Sequence, residues 1–184
     1  MRAEYENVLD DHLGKIHFTY VNTWDELLPA HWHEHLEIIY VLGGEITASI
    51  NDVSYELEKG DIFLVNSNDI HYTYTHEDAR YYLLQIPPVH LERISTKWEG
   101  LKFQEFIRSK SADACVQGEQ LENVQGKGLV EMRENRKSTN RADDLYDQLR
   151  DVFRKIAGFY EEKKEGYHLL VLSAVYRLLY FLYT

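Results

Sequence analysis

A single cysteine, Cys115, is the chain's whole complement. No internal disulfide can form, and without a CxxC partner in its polar surroundings this thiol is a poor candidate nucleophile. Cations are scarce as well: 20 Lys and Arg stand against 31 Asp and Glu, a formal net charge of −11. Most of such a surface repels polyanions such as DNA. Of the three prolines, two adjoin at Pro87-Pro88, where a β-like pattern stops. Long hydrophobic runs are missing too. The most apolar stretch, Tyr167 to Tyr183, is interrupted by His168, Ser173 and Arg177, and is too short and too polar to span a bilayer. The start MRAEYENVLDD has neither the basic nor the apolar region of a secretory signal. Together these absences predict a cytoplasmic chain with no membrane partner. Neither a GxSxG nucleophile elbow nor a phosphate-cradling glycine loop occurs, and no internal repeat is visible.

What is present is ordinary globular material, 44% hydrophobic and 28% charged over 184 residues, enough for one core with a helical extension. From Ile16 to Ile86 short β-like runs follow one another: IHFTYV, HLEIIYVL, EITASI, VSYEL, IFLV, IHYTY and YYLLQI. Gly43-Gly44, the tight-hairpin pair Asn51-Asp52, and Glu58-Lys59-Gly60-Asp61 punctuate them. Strands this short and this regularly spaced predict a sandwich or small barrel. After Pro88 the composition shifts. Val89 to Arg108 has helix-like spacing, and 109–140 is polar with little period. Leu145, Leu149, Val152, Phe153, Ile156 and Tyr160 then fall on one helical face. Residues 161–166 break that helix, and Tyr167 to Tyr183 resumes as one that is apolar nearly all round. Leu169, Leu172, Val175, Leu178, Leu179 and Leu182 are expected there as packing and dimer contacts.

The stretch HWHEHLE, residues 31–37, holds three of the nine histidines and two carboxylates. Read as part of a strand from Ala30 to Leu42, it places His31, His33, His35 and Glu37 on one face, and Trp32 on the other against a helix. His71 is the natural third imidazole from another strand. Three imidazoles and one carboxylate suit zinc, nickel, manganese, iron or copper, and suit calcium or magnesium poorly. The same side chains also serve as hydrogen-bonding residues of a pocket without an ion.

His31-x-His33-x3-Glu37-x6-Gly44 is similar to the first cupin motif. Gly60-x5-Asn66-x-Asn68-x2-His71 resembles the second, with Asn66 in place of its Pro, Asn68 in place of its Gly and Thr75 in place of its closing Asn. The longer run HWHEHLEIIYVLGGEITASINDVSYELEKGDIFLVNSNDIHY resembles the N-terminal sensor domain of AraC-type transcription regulators. EEKKEGYHLLVLSAVYRLLYFLYT is similar to the helical segment that follows the barrel in that family.

The resemblance implies a mainly β fold: a cupin double-stranded β-helix, or jelly-roll barrel, over 1–88, followed by α-helices over 89–184 that pack on it and dimerise. It implies a non-enzymatic sensor of a small polar, sugar-like effector. DNA would be reached only through a helix-turn-helix segment outside this chain. His31, His33, Glu37 and His71 would line the pocket, as candidate metal ligands or as direct contacts to the effector. Tyr20 and Tyr82 join them as candidate ligand-binding residues, because phenol rings both stack on and hydrogen-bond to a polyhydroxylated molecule. A metal-dependent cupin oxygenase or isomerase using the same four residues is the alternative, and a plain dimerisation module a third.

Overall fold

Seven of the β-like runs become strands of two five-stranded sheets in the computed structural model. It describes residues 3–8, 15–76, 78–95, 97–108 and 131–184, with side chains from 144 onward in the last set. Readings made for Cys115 and for 109–130 lie outside the described residues. The first sheet runs β1 (Glu4–Tyr5), β3 (Glu26–Trp32), β8 (His71–Thr75), β5 (Ile46–Ile50), β6 (Val53–Leu57). The second runs β10 (Phe106–Ile107), β7 (Ile62–Val65), β4 (Leu36–Gly43), β9 (Ala79–Ile86), β2 (His17–Thr23). Every pairing is antiparallel except β1 with β3. This is the expected jelly-roll with helices after it.

The two sheets differ in sequence because they differ in what covers them. Ile39, Val41, Phe63, Val65 and Tyr81 of the second sheet meet Ile46, Ala48, Ile50 and Leu57 inside the barrel. The opposite face of the second sheet, with Ile38, Tyr40, Leu64 and Leu84, packs on Leu149, Phe153, Val171, Val175 and Leu178 of the helices. Covered on both sides, its strands read as nearly unbroken apolar runs, LEIIYVL and IFLV. The first sheet has a solvated outer face, and the HYTYT of β8 accordingly alternates buried with half-exposed residues.

Turn chemistry matches local need. Asn51 and Asp52 both have positive φ, the requirement of a two-residue hairpin between β5 and β6. Gly44 sits at φ 74°, and a Cβ there would lie 2.6 Å from the Asp78 carbonyl oxygen, so no other residue fits without displacement. Pro29 lies within β3, where the register against β8 shifts between Leu28 and His31, the irregularity at which a strand accommodates a residue that cannot donate.

Three expectations change. The helix foreseen from Leu145 begins earlier: α2 covers Glu131–Glu162, and α3 (Tyr167–Tyr183) follows a break at Lys163 and Gly166, both at positive φ. Val89 to Arg108 does not form a helix beyond α1 (Pro88–Leu91) and a single 3-10 turn at Trp98–Gly100. Instead this segment lays β10 against β7, so the barrel extends past residue 88. Asn66 explains how. Its Oδ1 accepts from the Phe103 N–H at 2.7 Å and its Nδ2 donates to the Phe103 carbonyl at 3.2 Å. The Leu64 N–H donates to Glu105 O at 2.7 Å, and Arg108 donates to the buried Asp61 carboxylate at 2.6 and 2.8 Å. Tertiary pairing overrides a helical spacing that no longer has its own hydrogen-bond partners.

Candidate functional site

The single strand expected from Ala30 to Leu42 does not form. The chain leaves the first sheet at Trp32, crosses at His33, Glu34 and His35, and enters the second sheet at Leu36. His31 therefore comes from one sheet and Glu37 from the other, with His33 on the bridge. They still converge, because His71 opens β8 directly opposite His31 in register, and the two imidazole centroids lie 4.1 Å apart. Trp32 turns not toward a helix but edge-on to Tyr5 of β1, at 4.9 Å. The expected row of four histidine and glutamate side chains on one face is thus a corner between two sheets.

Each imidazole is oriented by a backbone carbonyl two residues away. The Nδ1–H of His31 donates to Pro29 O at 2.8 Å, that of His71 to Asp69 O at 3.0 Å, and that of His33 to His35 O at 3.2 Å. Carbonyl oxygens only accept, so these bonds put a proton on each Nδ1 and leave Nε2 of His31 and His71 as lone-pair nitrogens, while Nε2 of His33 meets Glu37. One donor atom from each of His31, His33 and His71 lies within 4.8 Å of the others. Nε2 of the fully buried His71 has no hydrogen-bond partner among the described residues. The departures from the second motif belong to this arrangement. Asn68 takes the left-handed conformation of the missing glycine, at φ 67°, and its N–H donates to the His33 carbonyl at 2.9 Å.

Glu37 completes the cluster. Its Oε2 lies 3.0 Å from His33 Nε2 and accepts from Gln85 Nε2 at 2.9 Å, while Oε1 lies 3.9 Å from His71 Nε2. A carboxylate cannot meet a lone pair at 3.0 Å without something positive between them. Either His33 carries both protons or a shared cation sits there. Burial alone would raise the Glu37 carboxyl, but the His33 hydrogen bond, the His71 and His33 charges and the Gln85 amide hold it down at about 2. Burial likewise pulls His33 down, yet the Glu37 hydrogen bond and the Glu37 and Glu6 charges outweigh it and raise the imidazole above its ordinary value. Burial prevails at His71, which is lowered despite Glu37.

These residues fit a transition metal by chemistry: three inward Nε2 atoms, an anionic oxygen, and a buried nitrogen left unsatisfied. Donors bonded at about 2.1 Å are at most about 4.2 Å apart. Closing the present spread needs a shift of under about an ångström.

Beside the cluster lies a cavity of about 530 Å³, which His31 and Glu37 share with Ile39, Thr73, Tyr81, Leu83 and Gln85, while Glu4, Tyr5 and Glu6 form its lip. Neither Tyr20 nor Tyr82 reaches it. Tyr20 is half exposed on β2, and Tyr82 stacks on Phe18 on the helix side of the sheet. The tyrosine that faces inward is Tyr81, aligned by strand alternation with Leu83 and Gln85 opposite Glu37. Burial, with the Glu37 and Glu26 charges, pushes its hydroxyl up to about 12, so it is a neutral donor. Gln85 and Tyr81 escaped the sequence reading, although a glutamine inside YYLLQI was a visible signal. Glu6, 3.6 Å from His31 Nε2, carried none.

Comparison with known proteins adds the family. The AraC-like ligand binding domain family matches residues 14–179. No curated protein gives a significant match. Among solved structures the chain is similar to a conserved protein of unknown function from Streptococcus pyogenes, at 16% identity over 40% of this chain and 65% of that one with TM-score 0.38. It is similar to an RmlC-like cupin from Shewanella frigidimarina, at 20% identity over 39% and 66% with TM-score 0.38. A third likeness is to the oxalate decarboxylase of Bacillus subtilis with its Mn(II) centers, at 20% identity over 39% and 21% with TM-score 0.37. The chain spans less than two thirds of the length of each. With nearly all of its barrel, α2 and most of α3 inside the matched residues, the chain belongs to the AraC-like ligand binding domain family.

Proposed function

We propose that the chain senses a small, neutral, polyhydroxylated metabolite held in the barrel cavity, and that its helices report occupancy and join two copies. One observation carries the reading: β4 and β9 are two-sided. Glu37, Ile39, Tyr81 and Leu83 face the cavity, while their neighbours Ile38, Tyr40 and Leu84 touch the helices. A ligand that shifts the inner residues displaces the outer ones by the same backbone movement. It signals only to the extent that it binds one arrangement better than the other.

The lining supports the ligand class. Tyr5 and Tyr81 offer rings, Tyr81 and Gln85 offer donors, and Glu37 with the histidines offers acceptors. Three carboxylates, those of Glu4, Glu6 and Glu37, border the cavity and no Lys or Arg does among the described residues, which disfavours an anionic ligand. Calorimetry and thermal-shift screening over neutral sugars, polyols and sugar acids test this. At a hundredfold excess over Kd a neutral sugar is expected to stabilise the fold by about 2.7 kcal/mol, and Tyr81→Phe to weaken it while Tyr82→Phe does not. Uniform indifference to every neutral compound would refute the assignment.

The His31, His33, His71 and Glu37 set favours a second reading, a metal-dependent enzyme. There a bound ion would supply a Lewis acid, and this chain's residues would hold it, with Tyr81 donating to substrate. Elemental analysis of purified protein separates the two readings. Stoichiometric metal lost together with a turnover activity in His33→Ala would favour the enzyme.

A further inference from the structure

A second cavity of about 560 Å³ opens on the far side of the second sheet, between α2 and the turn after β6. Although the chain carries a net charge of −11, Lys59, Arg150 and Arg154 converge on this cleft and Glu161 is the single carboxylate among the described residues that line it. Lys59 and Arg154 form no ion pair among the described residues. Arg150 is held by Asp147 at 2.9 Å with Asp151 at 3.7 Å, lies over the Tyr146 ring at 5.7 Å, and keeps a buried Nε without a partner. Lys59 and Arg154, unpaired in an otherwise acidic protein, draw anions to the cleft.

The rest of the cleft is equally unsatisfied. Tyr40, Tyr82 and Tyr146 border it, and none of their hydroxyls has a hydrogen-bond partner among the described residues. The Tyr146 hydroxyl sits by Gly60, where a Cβ would approach it to 3.1 Å. Burial pushes the Tyr82 and Tyr146 hydroxyls up, so both remain donors. Gly158 supplies an independent clue. A glycine inside a helix costs about 1 kcal/mol relative to alanine, and packing gives no reason for it, since a Cβ there would meet nothing within 4 Å. Ala157, Val41 and Leu42 line the cleft beside it, and the missing side chain leaves open space at that position.

We propose that this cleft binds a small aromatic anion, its ring over Gly158 and its phosphate or carboxylate against Lys59, Arg150 and Arg154 with the tyrosine hydroxyls donating. The site is separate from the barrel cavity, and its test does not depend on that one. Calorimetry of the 184-residue chain uses phenyl phosphate, benzoate, phenol and inorganic phosphate as probes. Saturable 1:1 binding of phenyl phosphate or benzoate is expected, the stronger of the two identifying the anion, with phenol and inorganic phosphate weaker by at least roughly tenfold. Arg154→Ala and Lys59→Ala should each weaken binding about tenfold, Gly158→Leu should abolish it, and Lys102→Ala, an exposed cation outside the cleft, should leave it unchanged. Thermal unfolding of Gly158→Leu at or above the wild-type temperature certifies that variant; if it does not fold, the two cation variants decide. Absence of saturable binding by both anions, binding indifferent to Arg154 and Lys59, or an equal loss of binding in Lys102→Ala would each overturn the proposal.

Discussion

Glu37 is both the most thoroughly buried carboxylate of the site and the most strongly acidic, a combination that holds only while positive charge stays beside it. Its carboxyl titrates near 2 in the fold against an ordinary 4.5. The stability it confers is therefore complete above about 4.5 and fades as pH falls toward about 2. His33, raised above its ordinary 6.5, acts with the opposite sign: its share is complete below 6.5 and is lost as pH rises through the folded value. His71, lowered by burial, favours the alkaline side. In metal-free protein, urea denaturation of wild type and Glu37→Gln is expected to differ most between these limits, with the gap closing on acidification. An unchanged gap down to pH 2 would contradict the assignment. Asn66 tests the site's frame. Asn66→Ala removes both bonds to Phe103 and leaves its backbone groups part-buried, an expected loss of about 1–3 kcal/mol, measurable by thermal or chemical unfolding. The His31, His33, Glu37 and His71 spacing was legible in the sequence because side-chain type and interval survive any path between them. Which tyrosine faces inward was not legible, since Tyr81 and Tyr82 are adjacent and identical, and only the register of β9 against Glu37 separates them.

At the scale of elements, the second sheet ties barrel and helices into one unfolding unit. Phe153 is fully buried on α2 and its ring lies 5.5 Å from that of Tyr40 on β4. Phe153→Ala should cost about 3–5 kcal/mol, and near-ultraviolet signals from the barrel and helical far-ultraviolet signals should still fall in one transition. Separate transitions would mean that the helices are an independent unit. The period of Leu145, Leu149, Val152, Phe153 and Ile156 announced α2 plainly, because that face is buried just as its spacing requires. The two-residue strands β1 and β10 left no such trace. A pattern needs several residues to repeat, and these strands exist through partners far away in the chain: β3 for the first, β7 and Asn66 for the second.

For the whole molecule, α3 poses the question of assembly. Val171, Val175, Leu178 and Leu179 are buried in the core, whereas Leu169 is 62% and Tyr180 61% exposed, with Leu170 and Tyr183 alongside. If the proposed joining of two copies by the helices uses this face, Leu169→Glu with Tyr180→Glu shifts sizing and sedimentation-velocity profiles from dimer to monomer without lowering the folded fraction. A wild-type chain that is monomeric throughout would refute it. No helix among the described residues is long and apolar enough to cross a membrane.

Because Ile38, Tyr40, Leu64 and Leu84 need the helices as cover, the barrel cannot be excised as a working cassette. Expressed as 1–88 it would also lose β10 and leave the edge of β7 open for pairing with another chain. Anyone grafting this domain onto another protein should place the junction after α3, where the chain leaves both cores intact, and should expect inclusion bodies from any cut made at Pro87-Pro88.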